Sequence, residues 1–379
     1  MIYTTRRRGQ TPKATNSKEL TVTDKTYDFL VFIGRFQPYH NGHARVVERA
    51  LRESRHIVLL IGSSHRPACV RNPWSFKERE AMIRSTLSDA DNERVHIAPI
   101  MDATYNDDVW IANVQKTVNG IVTAHHTQPH RDANVGLIGH AKDHSSYYLS
   151  LFPNWSSIDV ENAHVMSATD VREAIFRSDA GGWEDYRTSV RQNAGELVPP
   201  TVLDFLNDYT HSDAFKALRD EYDFVKQYRE RWDNAPYEPT FLTVDAVVVQ
   251  SGHILLVERR ARPGKGQWAL PGGFISPTET VRESMLRELK EETSIKVPVP
   301  VLAGSIVSEG VFDDPYRSSR GRTVTHAFYI HLKPETKLPK VKGGDDARKA
   351  FWVPLADLNP ENMFEDHYFI IQKMVGQMA

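Results

Sequence analysis

The chain's 379 residues exceed one compact core of ordinary size, so two or more domains are expected. With 40% hydrophobic and 25% charged residues the composition is that of a globular protein, and a formal net charge of −2 gives no case for non-specific nucleic-acid binding. A single cysteine, Cys69, excludes an intrachain disulfide and suits a reducing, cytoplasmic setting; no apolar run approaches the roughly 20 residues needed to span a membrane.

The first twenty residues, MIYTTRRRGQTPKATNSKEL, are basic and polar and lack the apolar core of a signal peptide. Arg6-Arg7-Arg8 reads either as an anion-binding arm or as part of a disordered tail over 1–26, and the absence of apolar periodicity favours the tail. Residues 28–34 (DFLVFIG) and 56–62 (HIVLLIG) are short apolar runs ending in glycine, as buried parallel strands are. Helical patterns at 42–54, 76–87 and 108–118 alternate with strand-like runs at 94–100 and 135–139. That alternation predicts a parallel sheet covered by helices, with ligands beyond the carboxyl ends of its strands. His125, His126 and His130 fall between predicted elements and read as a solvated loop in preference to a metal site. Helical character returns over 199–232, and NAPYEP (234–239) reads as a linker. Beyond it, 242–250 and 253–258 form a hairpin around Ser251-Gly252, with further strands at 323–332 and 349–353. The expected units are therefore 27–198, a helical extension and linker at 199–239, and a mixed-sheet domain at 240–379.

Two segments carry chemistry. GRFQPYHNGH (34–43) packs a glycine turn, two histidines three apart and a helix start into ten residues. A helix N-terminus attracts phosphate through its unpaired N–H groups and dipole, and His40 and His43 would both face that anion. A metal pair would need further ligands at fixed spacing, which do not follow. In GFISPTETVRESMLRELKEETSI (273–295), Glu288, Glu291 and Glu292 span about 100° of one helix face, beside an apolar face of Val281, Met285, Leu286 and Leu289. Carboxylates packed so closely repel one another unless a divalent cation sits among them. An ordinary solvated helix would account for Lys290 and Arg282, but not for Glu279, Arg287 and the glutamates falling in register.

The second segment resembles the Nudix box of enzymes that hydrolyse nucleoside diphosphates linked to another group. Ser294 departs from it, standing where the box has a helix-ending glycine, at a cost of ~1 kcal/mol. The first segment resembles the nucleotidylyltransferases of the HxGH class, and most closely the compact NMN adenylyltransferases found fused to a Nudix domain. NPWSFKER (72–79), Tyr105-Asn106-Asp107 with Trp110, Gly139-His140-Ala141-Lys142-Asp143 with Ser145 to Tyr148, and SATDVR (167–172) add to that resemblance, which covers about residues 28–190. It implies an N-terminal Rossmann-like α/β domain and a C-terminal α/β Nudix domain with a mixed sheet and one catalytic helix.

The implied first reaction transfers AMP from ATP to NMN, giving NAD and pyrophosphate. His40, His43 and Arg172 would act on the ATP phosphates, with Gly34, Arg35, Phe36, Gly139, Lys142, Asp143, Ser167 and Thr169 around the nucleotide. Trp74, Tyr105, Asn106 and Trp110 would lie on the nicotinamide side, although the aromatic residues read equally well as core. In the second half Glu288, Glu291 and Glu292 would bind Mg²⁺ or Mn²⁺, and Arg287 would hold Glu279 or a ligand carboxylate. Asp345 or Asp346 is the best-placed general base, though both also suit a turn, and Trp268 reads either as an adenine stack or as core. Phe312-Asp313-Asp314-Pro315 with Arg320 and Arg322 resembles the branch that cuts ADP-ribose to AMP and ribose 5-phosphate. Two alternatives stay open: a non-catalytic Nudix half that senses ADP-ribose or NAD, and a first half that adenylylates nicotinic acid mononucleotide or phosphopantetheine. The expected partners are small molecules, with neither nucleic acid nor membrane; a homo-oligomer is compatible with the sequence.

Overall fold

A computed structural model describes residues 25–127, 131–139, 150–160, 167–177, 198–344 and 347–376. The arginines at 6–8, His130, Lys142, Asp143 and the loop aspartates 345 and 346 lie outside the described residues.

The first sheet has five parallel strands in the order β3-β2-β1-β4-β5: β1 (Tyr27–Gly34), β2 (Ser54–Ile61), β3 (Val95–Pro99), β4 (Val135–Gly139) and β5 (Ser156–Asp159). Both faces are covered, which is why β1 and β2 read as unbroken apolar runs. Leu30, Phe32, Ile57, Leu59 and Ile61 enter one core with Val46 and Val47 of α1 (Asn41–Glu53) and Met82 and Ile83 of α2 (Phe76–Arg84). Their alternates Phe29, Val31, Val58 and Leu60 enter the other, with Val114 and Val118 of a later helix, Asp107–His125. A short helix, α3 (Asp89–Asn92), precedes β3, so the Asp107–His125 helix is α4. Chain order reverses between β1 and β4, which opens a crevice at their carboxyl ends.

The helical stretch after the first sheet is more than a connector. Val202, Leu206 and Tyr209 of α6 (Pro200–Tyr209) and Phe215 and Leu218 of α7 (Asp213–Glu230) complete the first core beside Val171, Ile175 and Phe176 of α5 (Ala168–Phe176). The far end of α7 reaches the second domain, where Asp220 pairs with Arg262 at 2.7 Å and Arg229 donates to the Ser319 carbonyl at 2.9 Å.

The second sheet is mixed, as expected. β6 (Phe241–Gln250) pairs parallel with β11 (Thr323–His331) and antiparallel with β7 (His253–Arg259). Ser251 and Gly252 both take positive φ, the geometry of a two-residue hairpin turn. β12 (Ala347–Pro354) and β10 (Ile306–Phe312) close the sheet, while β8 (Trp268–Ala269) and β9 (Gly272–Phe274) pair with β7 and β6. Helix α8 (Val281–Thr293) covers one face through Met285 and Leu289. The short α9 (Val299–Gly304) lies beside it, and α10 (His367–Gly376) covers the other face through Ile370, Ile371 and Met374. Among the described residues no helix is long and apolar enough to cross a membrane.

Three details depart from expectation. α4 runs seven residues past the expected end at 118, so His125 is its last residue and stacks on His96 at 4.0 Å. His96 in turn lies 3.2 Å from His56, so His125 belongs to a packed imidazole group at the amino ends of β2 and β3 and not to a loop. β5 and β10 carry too little apolar signal to be read from sequence: β5 is SSID, and β10 is an edge strand with alternate residues exposed.

Candidate active sites

The crevice at β1 and β4 receives the first constellation. β1 ends at Gly34, where a Cβ would lie 2.8 Å from the Phe36 ring, and Phe36 itself takes φ 51. Glycine is therefore needed for the chain to double back under Phe36. His40 is the N-cap of α1 and completes a reciprocal box with His43: the Gly42 N–H donates to His40 Nδ1 at 3.1 Å, and the His40 N–H donates to His43 Nδ1 at 3.3 Å. The rings stack 3.7 Å apart, with His43 also against Phe36 and Tyr39. Because both Nδ1 atoms accept, each neutral ring carries its proton on Nε2, a donor at the helix start.

Ser167 caps α5 in the same way, with Asp170 returning to its N–H at 2.7 Å. One turn on, the buried Arg172 donates to the Gln37 carbonyl at 2.6 Å and to Thr169 Oγ1 at 3.0 Å, which ties α5 to the turn between β1 and α1. Burial lowers the Arg172 pKa to about 10, assisted by Arg35 and then Arg71; Arg35 keeps contact with solvent, yet the protein packed around it and then Arg71 lower it to about 10 as well. Arg71, an exposed side chain, is pushed down by the protein crowded around it and then by Arg66, with Asp314 acting the other way. These guanidinium groups crowd a partly desolvated crevice, and each makes its neighbours harder to keep charged. An anion carrying several negative charges would relieve that strain. Arg71 was not singled out from the sequence; its place just before NPWSF was the only available signal.

Arg79 frames the crevice from below, donating to the Arg35 and Gly62 carbonyls at 2.7 Å each. Gly139 ends β4 beside β1. The aromatic residues are less cooperative. Trp74 is 1% exposed and packs edge-on against Tyr209, so the core claims it and leaves no face for a ligand. Tyr105 turns into the second domain, its ring against Phe312 and its hydroxyl donating to Asp366. Asn106 caps α4 by accepting from the Val109 N–H at 3.2 Å. Trp110 is half-buried and tilted against Phe152.

The second constellation lies on α8. Arg287 is its hub, with Nε donating to Glu279 at 3.0 Å and Nη1 donating to Glu288 and Glu291 at 2.9 Å each. Ser284 Oγ also donates to Glu279, at 2.8 Å. Gly272 of β9 must be glycine because a Cβ there would collide with the Val244 carbonyl oxygen, and a Cβ at Gly273 would displace the Glu288 carboxyl, 2.7 Å away. Glu292, 8% exposed, accepts from the Gly272 N–H at 3.0 Å. Burial raises its pKa to about 8; Glu288 and Asp245 push the same way against the Gly272 bond and Arg259. The helix ends at Ser294 in the left-handed conformation, φ 45 and ψ 30, which is the geometry the missing glycine would favour.

This donor set suits a hard divalent cation: carboxylates only, one of them buried and held in an environment that disfavours its own charge. In the geometry described, Glu288 and Glu291 are drawn to Arg287, and no three acidic or imidazole groups among the described residues converge on one point. Arg322 donates to the Asp313 carbonyl, and the Arg320 guanidinium lies 5.2 Å from the Phe274 ring beside β9. Trp268 packs edge-on against Phe351 at 5.2 Å.

Comparison with known proteins agrees with this division. Residues 31–174 match the Cytidylyltransferase-like family and residues 239–374 the NUDIX domain. A nicotinamide/nicotinic acid mononucleotide adenylyltransferase of Acinetobacter baylyi is 36% identical over 197 residues, covering 52% of this chain and 94% of that protein. An ADP-ribose pyrophosphatase of Methanocaldococcus jannaschii is 37% identical over 131 residues, covering 35% of this chain and 70% of that protein. The crystal structure of a bifunctional NMN adenylyltransferase/ADP ribose pyrophosphatase from Francisella tularensis, complexed with AMP and a Mn ion, superposes with a TM-score of 0.81 at 34% identity, over 93% of this chain and 100% of that one. The likeness runs through both domains and their junction, and the chain belongs to the family of bifunctional NMN adenylyltransferase/ADP-ribose pyrophosphatases.

Proposed function

We propose that the two sites work as separate catalysts on one chain, with the residues named above in the following roles. The first domain joins NMN to the AMP part of ATP, and the second hydrolyses ADP-ribose to AMP and ribose 5-phosphate. The observation that carries this reading is the opposite charge imbalance of the two sites: crowded arginines at one and a buried carboxylate with a raised pKa at the other.

In the first site a 5′-phosphate oxygen of NMN attacks the α-phosphorus of ATP, the bond to the β-phosphate oxygen breaks, and pyrophosphate leaves. The protein's work is placement and charge neutralisation. His40 and His43 donate from Nε2 to phosphate oxygens at the start of α1. Arg172, fixed by Gln37 and Thr169, takes the β- and γ-phosphates, and Arg35 and Arg71 share the remaining charge. Lys142 and Asp143 are assigned to the nucleotide on resemblance alone, as are Gly139 and the nicotinamide-side role of Trp110.

In the second site Glu288, Glu291 and Glu292 would hold the divalent cation, Mg²⁺ or Mn²⁺, which when bound neutralises the diphosphate and acidifies a water. Arg287 orients Glu288 and Glu291 and keeps Glu279 in place. Arg320 and Arg322 are set to meet the substrate's phosphates. The presence of all three box glutamates, Glu288, Glu291 and Glu292, together with Arg287 favours catalysis over a sensing role.

We assign residues 27–198 with the following helices to the adenylyltransferase, residues 240–379 to the Nudix unit, and the whole to the cytoplasm. The test is direct: incubate the protein with NMN, ATP and Mg²⁺, and separately with ADP-ribose and Mg²⁺. NAD in the first tube and AMP in the second are expected; either product missing overturns that half of the proposal. Nicotinic acid mononucleotide offered in parallel gives the base preference.

A further inference from the structure

Arg71 stands in the adenylyltransferase crevice, but what holds it comes from the other domain. Its Nη1 donates to the Tyr316 carbonyl at 3.3 Å, and its guanidinium lies 4.6 Å from the centroid of the Tyr316 ring. We infer that Tyr316 is a positioning residue for the first reaction, fixing Arg71 toward the ATP phosphates from the Nudix domain. This rests on the adenylyltransferase reading given above.

Arg71 needs such a support. It is solvent-exposed and lies close to Arg35, Arg66 and Arg172, whose like charges oppose its reaching over the crevice, while Asp314 of the Nudix loop attracts it. Asp314 attracts it electrostatically, but the groups that touch it are the neutral carbonyl and the ring of Tyr316. An aromatic face and a neutral carbonyl hold a guanidinium while leaving its charge available.

The holder is itself fixed. The Tyr316 N–H donates to Asp314 Oδ1 at 2.8 Å. The next residue, Arg317, is buried and paired with Asp366 through two bonds of 2.9 Å. Ser319 donates its N–H to Glu365 at 3.0 Å and accepts from Arg229 of α7. Asp366 also receives the Tyr105 hydroxyl from the first domain. Tyr316 is thus an exposed ring, 71% accessible, on a loop anchored on both sides. An exposed tyrosine on a rigid loop with its face under a cation is difficult to explain by packing alone.

The experiment uses the full chain and steady-state NAD synthesis with ATP varied. Tyr316→Ala should raise the KM for ATP by about two- to fivefold, the size of a partly exposed cation–aromatic contact, with kcat little changed. Tyr316→Phe, which keeps the ring and the carbonyl, should match the wild type. In an Arg71→Ala background Tyr316→Ala should add nothing, because the partner through which it acts is gone. ADP-ribose hydrolysis should stay within about twofold throughout, a margin below any lost contact of this kind. An unchanged KM in Tyr316→Ala, an equal shift in the Arg71→Ala background, or a parallel loss of both activities would each overturn the inference. No NAD from the wild type would instead sink the adenylyltransferase reading on which it stands.

Discussion

At the carboxyl ends of β1 and β4 the side chains in excess are arginines, and on α8 they are glutamates. The crevice lowers Arg35 and Arg172 to about 10, while the Nudix helix raises Glu292 to about 8. Burial is the leading cause for Arg172 and Glu292, both nearly inaccessible, and like-charge neighbours add to it; Arg35 keeps contact with solvent. Each domain therefore carries a charge imbalance of the sign that its expected ligand would correct: polyphosphate in one case, a divalent cation in the other. The solutions differ in structure. The candidate phosphate site draws on two helix starts and the loops after β1 and β2, whereas the candidate metal site lies almost entirely along one helix.

That contrast can be broken most severely by chelation. Removing divalent cations with EDTA should abolish AMP release from ADP-ribose, and Mg²⁺ or Mn²⁺ should restore it; hydrolysis persisting in EDTA would deny the carboxylates their assigned role. Next, Arg172→Ala should lower NAD synthesis by about 10²–10³-fold, the usual cost of losing one preorganised charge-stabilising group, and leave ADP-ribose hydrolysis unchanged. Retention of NAD synthesis within tenfold would shift the burden to Arg35 and Arg71.

Smaller effects sharpen the scaffold side. Ser294→Gly should stabilise the left-handed helix end by ~1 kcal/mol and raise the melting temperature of the Nudix transition by about 2–4 °C. No increase would mean that Ser294 is compensated elsewhere. His96, half-buried and lowered to about 4 by burial and then by His125 and His56, contributes stability that is present above its unfolded pKa of 6.5. That contribution is lost as pH falls from 6.5 toward 4, because the unfolded ring takes up a proton first. Discounted for its exposure, the effect is about 1 kcal/mol. A His96→Gln variant should therefore lose less stability than the wild type over this interval in thermal melts.

The candidate metal site was legible because nearly all its residues share one helix, where spacing fixes direction: Glu279, Glu288 and Glu291 gather on Arg287, while Glu292 turns to the Gly272 N–H. Ser294 was legible for the same reason. In the first domain the helix starts at His40, His43 and Ser167, with Arg172 one turn on, were legible because capping residues announce them. What failed was direction across an interface. Tyr105 belongs to a first-domain loop yet packs into the Nudix core; within the first core, Trp74 meets Tyr209 of α6, 135 residues further along the chain. Periodicity within one element says nothing about which distant surface will meet it. Arg71 was overlooked for the same reason, since its companions come from β1, α5 and the Nudix loop.

The central claim, two separate chemistries on one chain, is tested most directly by a crossed pair of variants. His43→Ala and Glu292→Gln are each assayed for NAD formation from NMN and ATP and for AMP release from ADP-ribose. His43→Ala should lose the first activity by at least about 10²-fold and keep the second. Glu292→Gln should lose the second by about 10²–10⁴-fold and keep the first. Either substitution disabling both activities would contradict the account.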